Sequence, residues 1–252
     1  MPEANLGRGR IYYEVYGEGQ ALIGLHHGLS SSRTWKSQIQ TLGTHYRFFV
    51  YDRLGHGRSE HHVSYEREYF ENRASELDEL IRFLGLDSVH LCGMCEGGAV
   101  ALLFASAWPK KVKTLILQGV GYFGTDATIA KCEKHFLPWA KLDASLRKQL
   151  IYHHGEEYAM AKWEAVREAK YYVWDLSYDL RPRFSDIQVP TLIMGGDRDP
   201  FFGLEHPVAA FEGINNANLC IMPGVGHFPN EEAPALFNTI VLNFLKQHGR
   251  TT

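Results

Sequence analysis

Cysteine is scarce in this chain, with four in 252 residues, too few for the disulfide framework that staples small secreted domains. The thiols read as reduced, and the expected compartment is the cytoplasm. Long apolar runs are also missing. No stretch approaches the roughly 18–20 apolar residues needed to cross a bilayer, and the opening "MPEANLGRGRIYYEVYG" lacks the apolar run of a signal peptide. Nor is there an excess of charge of one sign. The 26 Lys and Arg against 29 Asp and Glu leave a formal charge of −3, and the basic residues are scattered. That argues against nucleic acid or a membrane surface as partner. No internal repeat or low-complexity tract is visible. What remains is an ordinary apolar fraction, 45%, in a length that suits one full-sized domain.

The opening reads as a hairpin: "RIYYEVYG", a turn "EGQ", then "ALIGLHHG". A helix is predicted around "RTWKSQIQTLG" and a strand at "YRFFVYD". In "EYFENRASELDELIRFLG", Leu77, Leu80, Ile81 and Leu84 recur at helical spacing, with Gly85 as the stop. Further short apolar strands follow at "SVHLC", "VKTLILQG", "VPTLIMGG" and "NANLCIMPG", and "ALFNTIVLNFLKQH" closes as an amphipathic helix. Near-continuous apolar strands alternating with helices imply an α/β chain with a mostly parallel, doubly wound sheet. Residues 122–186 break the rhythm, being aromatic-rich and helical in pattern. They read as a small helical lid inserted after a late strand into a core of residues 1–121 and 187–252, over the sheet edge where such folds bind ligands.

Between a strand and a helix stands "GMCEGG", residues 93–98. A turn of small residues with one reactive side chain at its apex exposes a nucleophile, here Cys95. Four other fragments sit at strand ends: "GLHHGL", "YDRLGHGRS", "GGDRDP" and "PGVGHFPNEEAP". Together, in this order, they resemble the α/β-hydrolase fold superfamily over nearly the whole chain outside the lid. The resemblance implies a nucleophile–acid–histidine order, with Cys95 as nucleophile, Asp199 as acid and His227 as base. Asp199 is preferred to Asp197 because it is last in "GDRD". The backbone N–H groups of Leu29 and Glu96 fall where the family builds its oxyanion hole. Asp52, Gly55, Gly57 and Ser59 match a family loop that reads as scaffold, and His26, His27 and His56 as structural hydrogen-bonders.

Two other patterns lead elsewhere and are set aside. Cys92 and Cys95 form a C-x-x-C, but Cys92 falls within the strand, and Cys132 and Cys220 supply no second pair for a metal. Gly119, Gly121 and Gly124 form G-x-G-x-x-G after a strand, yet no helix opens on the last glycine and Asp143 lies in a helical pattern. No cofactor or metal is called for.

Cysteine in place of the family's usual serine resembles dienelactone hydrolases, some biosynthetic thioesterases and, in the box alone, polyhydroxyalkanoate synthases. A thiolate attacks well near neutral pH, but a poor alkoxide leaves less readily than the thiolate itself. The expected partner is therefore a small-molecule acyl substrate, an ester, thioester or lactone, hydrolysed through an acyl-Cys95 intermediate. The same elbow also fits a serine-type esterase whose nucleophile has been exchanged, an acyltransferase, or a small-molecule receptor. Glu96 beside the sulfur would oppose the thiolate unless it turns away or is paired. Among the lid aromatics Phe136, Trp139, Tyr158, Trp163, Tyr171, Tyr172 and Trp174, most are expected to pack the lid, and Trp139 and Trp163 are the candidates to contact substrate.

Overall fold

The computed structural model describes residues 2–62, 65–66 and 68–248. In chain order the elements are β1 (Glu3–Leu6), β2 (Gly9–Tyr16), β3 (Ala21–Leu25), α1 (Lys36–Leu42), β4 (Arg47–Tyr51), α2 (Tyr69–Phe83), β5 (Val89–Met94) and α3 (Glu96–Ala107). They continue with β6 (Val112–Gln118), α4 (Asp126–His135), α5 (Ala144–His154), α6 (Glu156–Ala169), β7 (Thr191–Gly196), α7 (Glu205–Gly213), β8 (Ala217–Met222), α8 (Pro229–Glu232) and α9 (Pro234–His248).

The strands form one eight-stranded sheet in the order β1-β2-β4-β3-β5-β6-β7-β8. From β4 to β8 every pairing is parallel. Successive strand residues point to opposite faces, so Leu91, Leu115 and Ile193 enter one core with α2 and α3. Their neighbours Cys92, Ile116 and Leu192 enter the other, against Phe237, Val241 and Leu245 of α9. Both faces are covered, which is why these strands read as unbroken apolar runs.

The expected hairpin does not form. β2 pairs antiparallel with β4, Tyr13 facing Tyr51, and with β1, Glu3 facing Tyr12. β3 instead pairs parallel with β4 and β5. β3 is buried along its whole length and needs a strand on each side, whereas half-buried β2 suits a position near the edge. The residues between them pass over the start of β4, where Arg47 N–H donates to Gln20 O at 2.9 Å.

Residues 119–190, between β6 and β7, carry α4, α5 and α6, and their strand-like pairing is a lone bridge from Phe123 to Asp179. Thr125 caps α4 by accepting from Thr128 N–H, and Asp143 caps α5 by accepting from Leu146 N–H. Asp143 thus precedes its helix rather than lying inside one. α6 stops at Ala169, where Lys170 turns left-handed; Tyr171 follows in extended backbone, and Tyr172–Trp174 form one short 3-10 turn.

The α3–β5 contact fixes the elbow. A β-carbon at Gly93 would lie 2.6 Å from Gly97 O and Gly98 Cα, and one at Gly97 would lie 2.5 Å from Leu25 O. These obstacles are backbone and cannot rotate away. Gly97→Ala is therefore expected to lower stability by about 1–3 kcal/mol, while Gly7→Ala, whose β-carbon meets Glu79 at an ordinary 3.6 Å, stays near wild type. Urea unfolding of both variants measures the difference.

Candidate active site

Cys95 sits at the turn between β5 and α3 with φ +50° and ψ −118°. A non-glycine residue in that region is strained, and such strain gathers at functional positions. The turn is held by Cys95 N–H donating to Gln118 O at 2.9 Å, and the Cys95 carbonyl accepts from Gly98 and Ala99 N–H. The half-buried side chain thus stands at the N-terminus of α3, facing its dipole.

His227 follows β8 and reaches the elbow, where its ring lines the same cavity as Cys95 and interacts with the sulfur electrostatically. Its Nδ1 lies 2.8 Å from Asp199 Oδ2. The other carboxylate oxygen of Asp199 accepts from Phe201 and Phe202 N–H at 2.8 and 3.1 Å. Asp197, the alternative acid, instead accepts from Gly224 N–H at 2.6 Å. Phe201, Phe202 and Phe228 pack around the His227 ring with centroids 4.7–5.2 Å away. Carboxylate, imidazole and sulfur therefore stand in series.

Leu29 and Glu96, the residues expected to supply the oxyanion donors, line the same cavity as Cys95. Glu96 opens α3, so its N–H has no helical carbonyl to meet. Leu29 N–H makes only a long bond, 3.4 Å, to His27 Nδ1. The surrounding histidines hold the loop: His26 Nε2 accepts from Arg53 N–H at 3.0 Å, and His56 Nε2 meets Gly28 O at 2.9 Å. In the scaffold loop Asp52 accepts from Ser32 and Arg58 N–H, and Ser59 Oγ accepts from Tyr12 N–H at 2.9 Å.

Cys95 and His227 open onto a cavity of about 750 Å³. Its wall includes the apolar Cys132, Phe136, Trp163, Val166, Val173 and Phe202 and the polar or charged Arg33, Lys36, His153 and Glu231. Trp163, 2% exposed, lines this cavity as expected and stacks on Phe136. Trp139 is not part of the wall; it packs against the cluster of Leu142, Leu150, Ala159 and Trp163.

Sequence comparison agrees with this architecture. The family model described as "Alpha/beta hydrolase family" matches residues 25–240. The chain belongs to that family. Among curated members, the 2-hydroxy-6-oxo-6-phenylhexa-2,4-dienoate hydrolase of Comamonas testosteroni is 28% identical, over 98% of this chain and 95% of its own length. A 2-hydroxy-6-oxononadienedioate/2-hydroxy-6-oxononatrienedioate hydrolase of the same organism is 26% identical, over 96% and 93%. Among solved structures, the enol-lactonase from Burkholderia xenovorans LB400 superposes with a TM-score of 0.76, 21% identity and coverage of 97% and 100%. These similarities establish a hydrolase on the α/β fold.

The side chain of Glu96 resolves the objection that it would repel a thiolate. It is 3% exposed, and its Oε1 accepts from Arg53 Nη1 at 2.8 Å and Tyr69 Oη at 2.7 Å, while Oε2 accepts from Tyr171 Oη. Burial pushes its pKa up, but Arg53, then Lys162 and the two phenols, outweigh that and hold it below the usual carboxylate range. Arg53, at 0% exposure, is of a residue type that is buried only when paired.

Burial opposes a charge on His227, yet the Cys95 sulfur and the Asp199 carboxylate raise it from 6.5 to about 10. The imidazolium therefore stabilises the fold fully below pH 6.5, and that contribution is lost as pH rises through about 10. Cys95→Ala removes the foremost raising influence. Imidazole NMR titration is expected to place His227 of that variant well below its wild-type value, with the stability loss in urea starting at correspondingly lower pH. An unchanged titration would mean that the sulfur and ring do not interact.

Proposed function

We propose that this hydrolase cleaves activated acyl compounds, a thioester, an enol or strained lactone, or an aryl ester, through an acyl-Cys95 intermediate. The observation that carries this reading is the series Asp199–His227–Cys95 opening onto one cavity beside two backbone donors. The Cys95 sulfur attacks the substrate carbonyl, and the electron pair of the C=O bond moves onto oxygen, facing the Glu96 and Leu29 N–H groups. Collapse of the tetrahedral species expels the leaving group, which takes its proton from the His227 imidazolium. The neutral ring then accepts a proton from water as water attacks the thioester, and the acid departs with Cys95 and His227 restored. Asp199 orients the ring and stabilises its charge throughout.

The apolar side chains of the cavity wall, Trp163 included, suit an acyl chain. The inserted segment, contributing Phe136, Trp163 and Val173 to the wall, serves as the lid.

A second reading is favoured by the relatives named as hydrolases of 2-hydroxy-6-oxo-dienoates, matched over nearly the whole chain. The carbonyl attacked would be such a ketone, the leaving group a stabilised carbanion, and Arg33 and Lys36 of the cavity wall would face the carboxylate.

Steady-state turnover of a p-nitrophenyl ester, an acyl thioester and a 2-hydroxy-6-oxo-dienoate by wild type, Cys95→Ser and Cys95→Ala tests both. The acyl reading predicts thioester turnover that falls at least ~1000-fold in Cys95→Ala and is also slower in Cys95→Ser. Turnover of the dienoate alone would select the carbon–carbon reading. Full activity in Cys95→Ala would refute both.

A further inference from the structure

Resting on the reading of Cys95 as nucleophile, we infer that the Glu96 side chain is a positioning residue for the oxyanion hole, engaged by Tyr171 of the inserted segment. Glu96 supplies one expected donor through its backbone, and its side chain curls back beneath the strand-end loop that supplies the other. A β-carbon at Gly28 would collide with the Glu96 carboxylate, so the Glu96 side chain packs directly against the Gly28 backbone and leaves no room there for a second side chain.

Arg53 joins the two halves. Its Nη1 donates to Glu96 Oε1 at 2.8 Å and its Nη2 donates to His26 O at 3.3 Å, in the loop that leads to Leu29. A guanidinium is a rigid planar fork, so its two arms hold the nucleophile helix and the oxyanion loop at a fixed separation. Tyr69 of α2 takes the remaining approach to Oε1.

The third tie crosses from the insertion. Tyr171 donates to Glu96 Oε2, and its ring packs against Tyr65 at 4.5 Å and Tyr69 at 4.9 Å. Lys162 of α6, fully buried, in turn hydrogen-bonds Tyr65. The carboxylate thus receives one anchor from each of three elements that must agree for both donors to face the same oxygen. Seating the insertion over substrate and aligning the oxyanion hole become one event.

The test compares wild type, Glu96→Gln and Tyr171→Phe by three readouts per titrated active site. These are kcat and KM on the best ester or thioester, affinity for a long-chain alkyl trifluoromethyl ketone, and the pH profile of Cys95 alkylation by iodoacetamide. The ketone forms an S–C bond to Cys95 and places an oxyanion in the hole, whereas alkylation forms no oxyanion. Glu96→Gln is expected to lower kcat and ketone affinity together, by about 10- to 100-fold, with KM and the alkylation profile within about twofold. Tyr171→Phe, which deletes a single hydroxyl, is expected to show the same paired loss at about 3- to 10-fold, and it stands as the test if Glu96→Gln does not fold. Wild-type kcat and ketone affinity in Tyr171→Phe, or an alkylation profile that moves with kcat, would overturn the inference. If wild type binds the ketone yet hydrolyses no acyl compound, the proposed function fails, while the ketone affinities still decide the positioning role.

Discussion

Everything at this site depends on how closely α3 approaches the sheet. Gly93, Gly97 and Gly98 allow helix and strands to meet backbone to backbone, and that proximity forces the chain to turn within one residue. Cys95 takes the strain, at φ +50°, and in return its side chain points away from the sheet into the cavity. A bulkier turn would relax the backbone and bury the sulfur. The helix that begins there also sets Glu96 N–H beside the sulfur, so nucleophile and oxyanion donor come from one constraint.

Two buried carboxylates serve the elbow, each held by its own partners. Asp199 faces His227 and two backbone N–H groups; Glu96 faces Arg53 and two phenols. Each is held below the ordinary carboxylate range against the opposing effect of burial, the first chiefly by His227 and the second chiefly by Arg53. Asp199 is thereby left to charge the imidazole, while the negative charge of Glu96 is neutralised on the far side. Breaking a buried pair of this kind typically costs about 3–5 kcal/mol, so the elbow's local order and its electrostatics are maintained by the same contacts.

Much of this was legible in the sequence because the signals were local. The run of glycines around Cys95, the last Asp of "GDRD" and the His of "GVGHFP" each sit at a strand end, and the structure brings Cys95, Asp199 and His227 together. Long-range pairings were not legible. The place of β4 between β2 and β3 depends on which strands need two neighbours, which a hairpin-like spacing does not convey. Arg53 and Glu96 are 43 residues apart, and their pairing emerges only when two strand ends lie side by side. In the insertion, helical periodicity identified aromatic faces but not their directions: Trp163 reached the cavity while Trp139 packed the insertion's own core.

The central claim is that the acyl group passes through the sulfur of Cys95. Acid-quenched mass spectrometry of the enzyme during turnover of an acyl thioester tests it directly. The account predicts a transient mass increase equal to the acyl group less one hydrogen, located on the peptide that contains Cys95 and absent in Cys95→Ala. An adduct on another residue, or turnover with no adduct in pre-steady-state samples taken before product release, would contradict it.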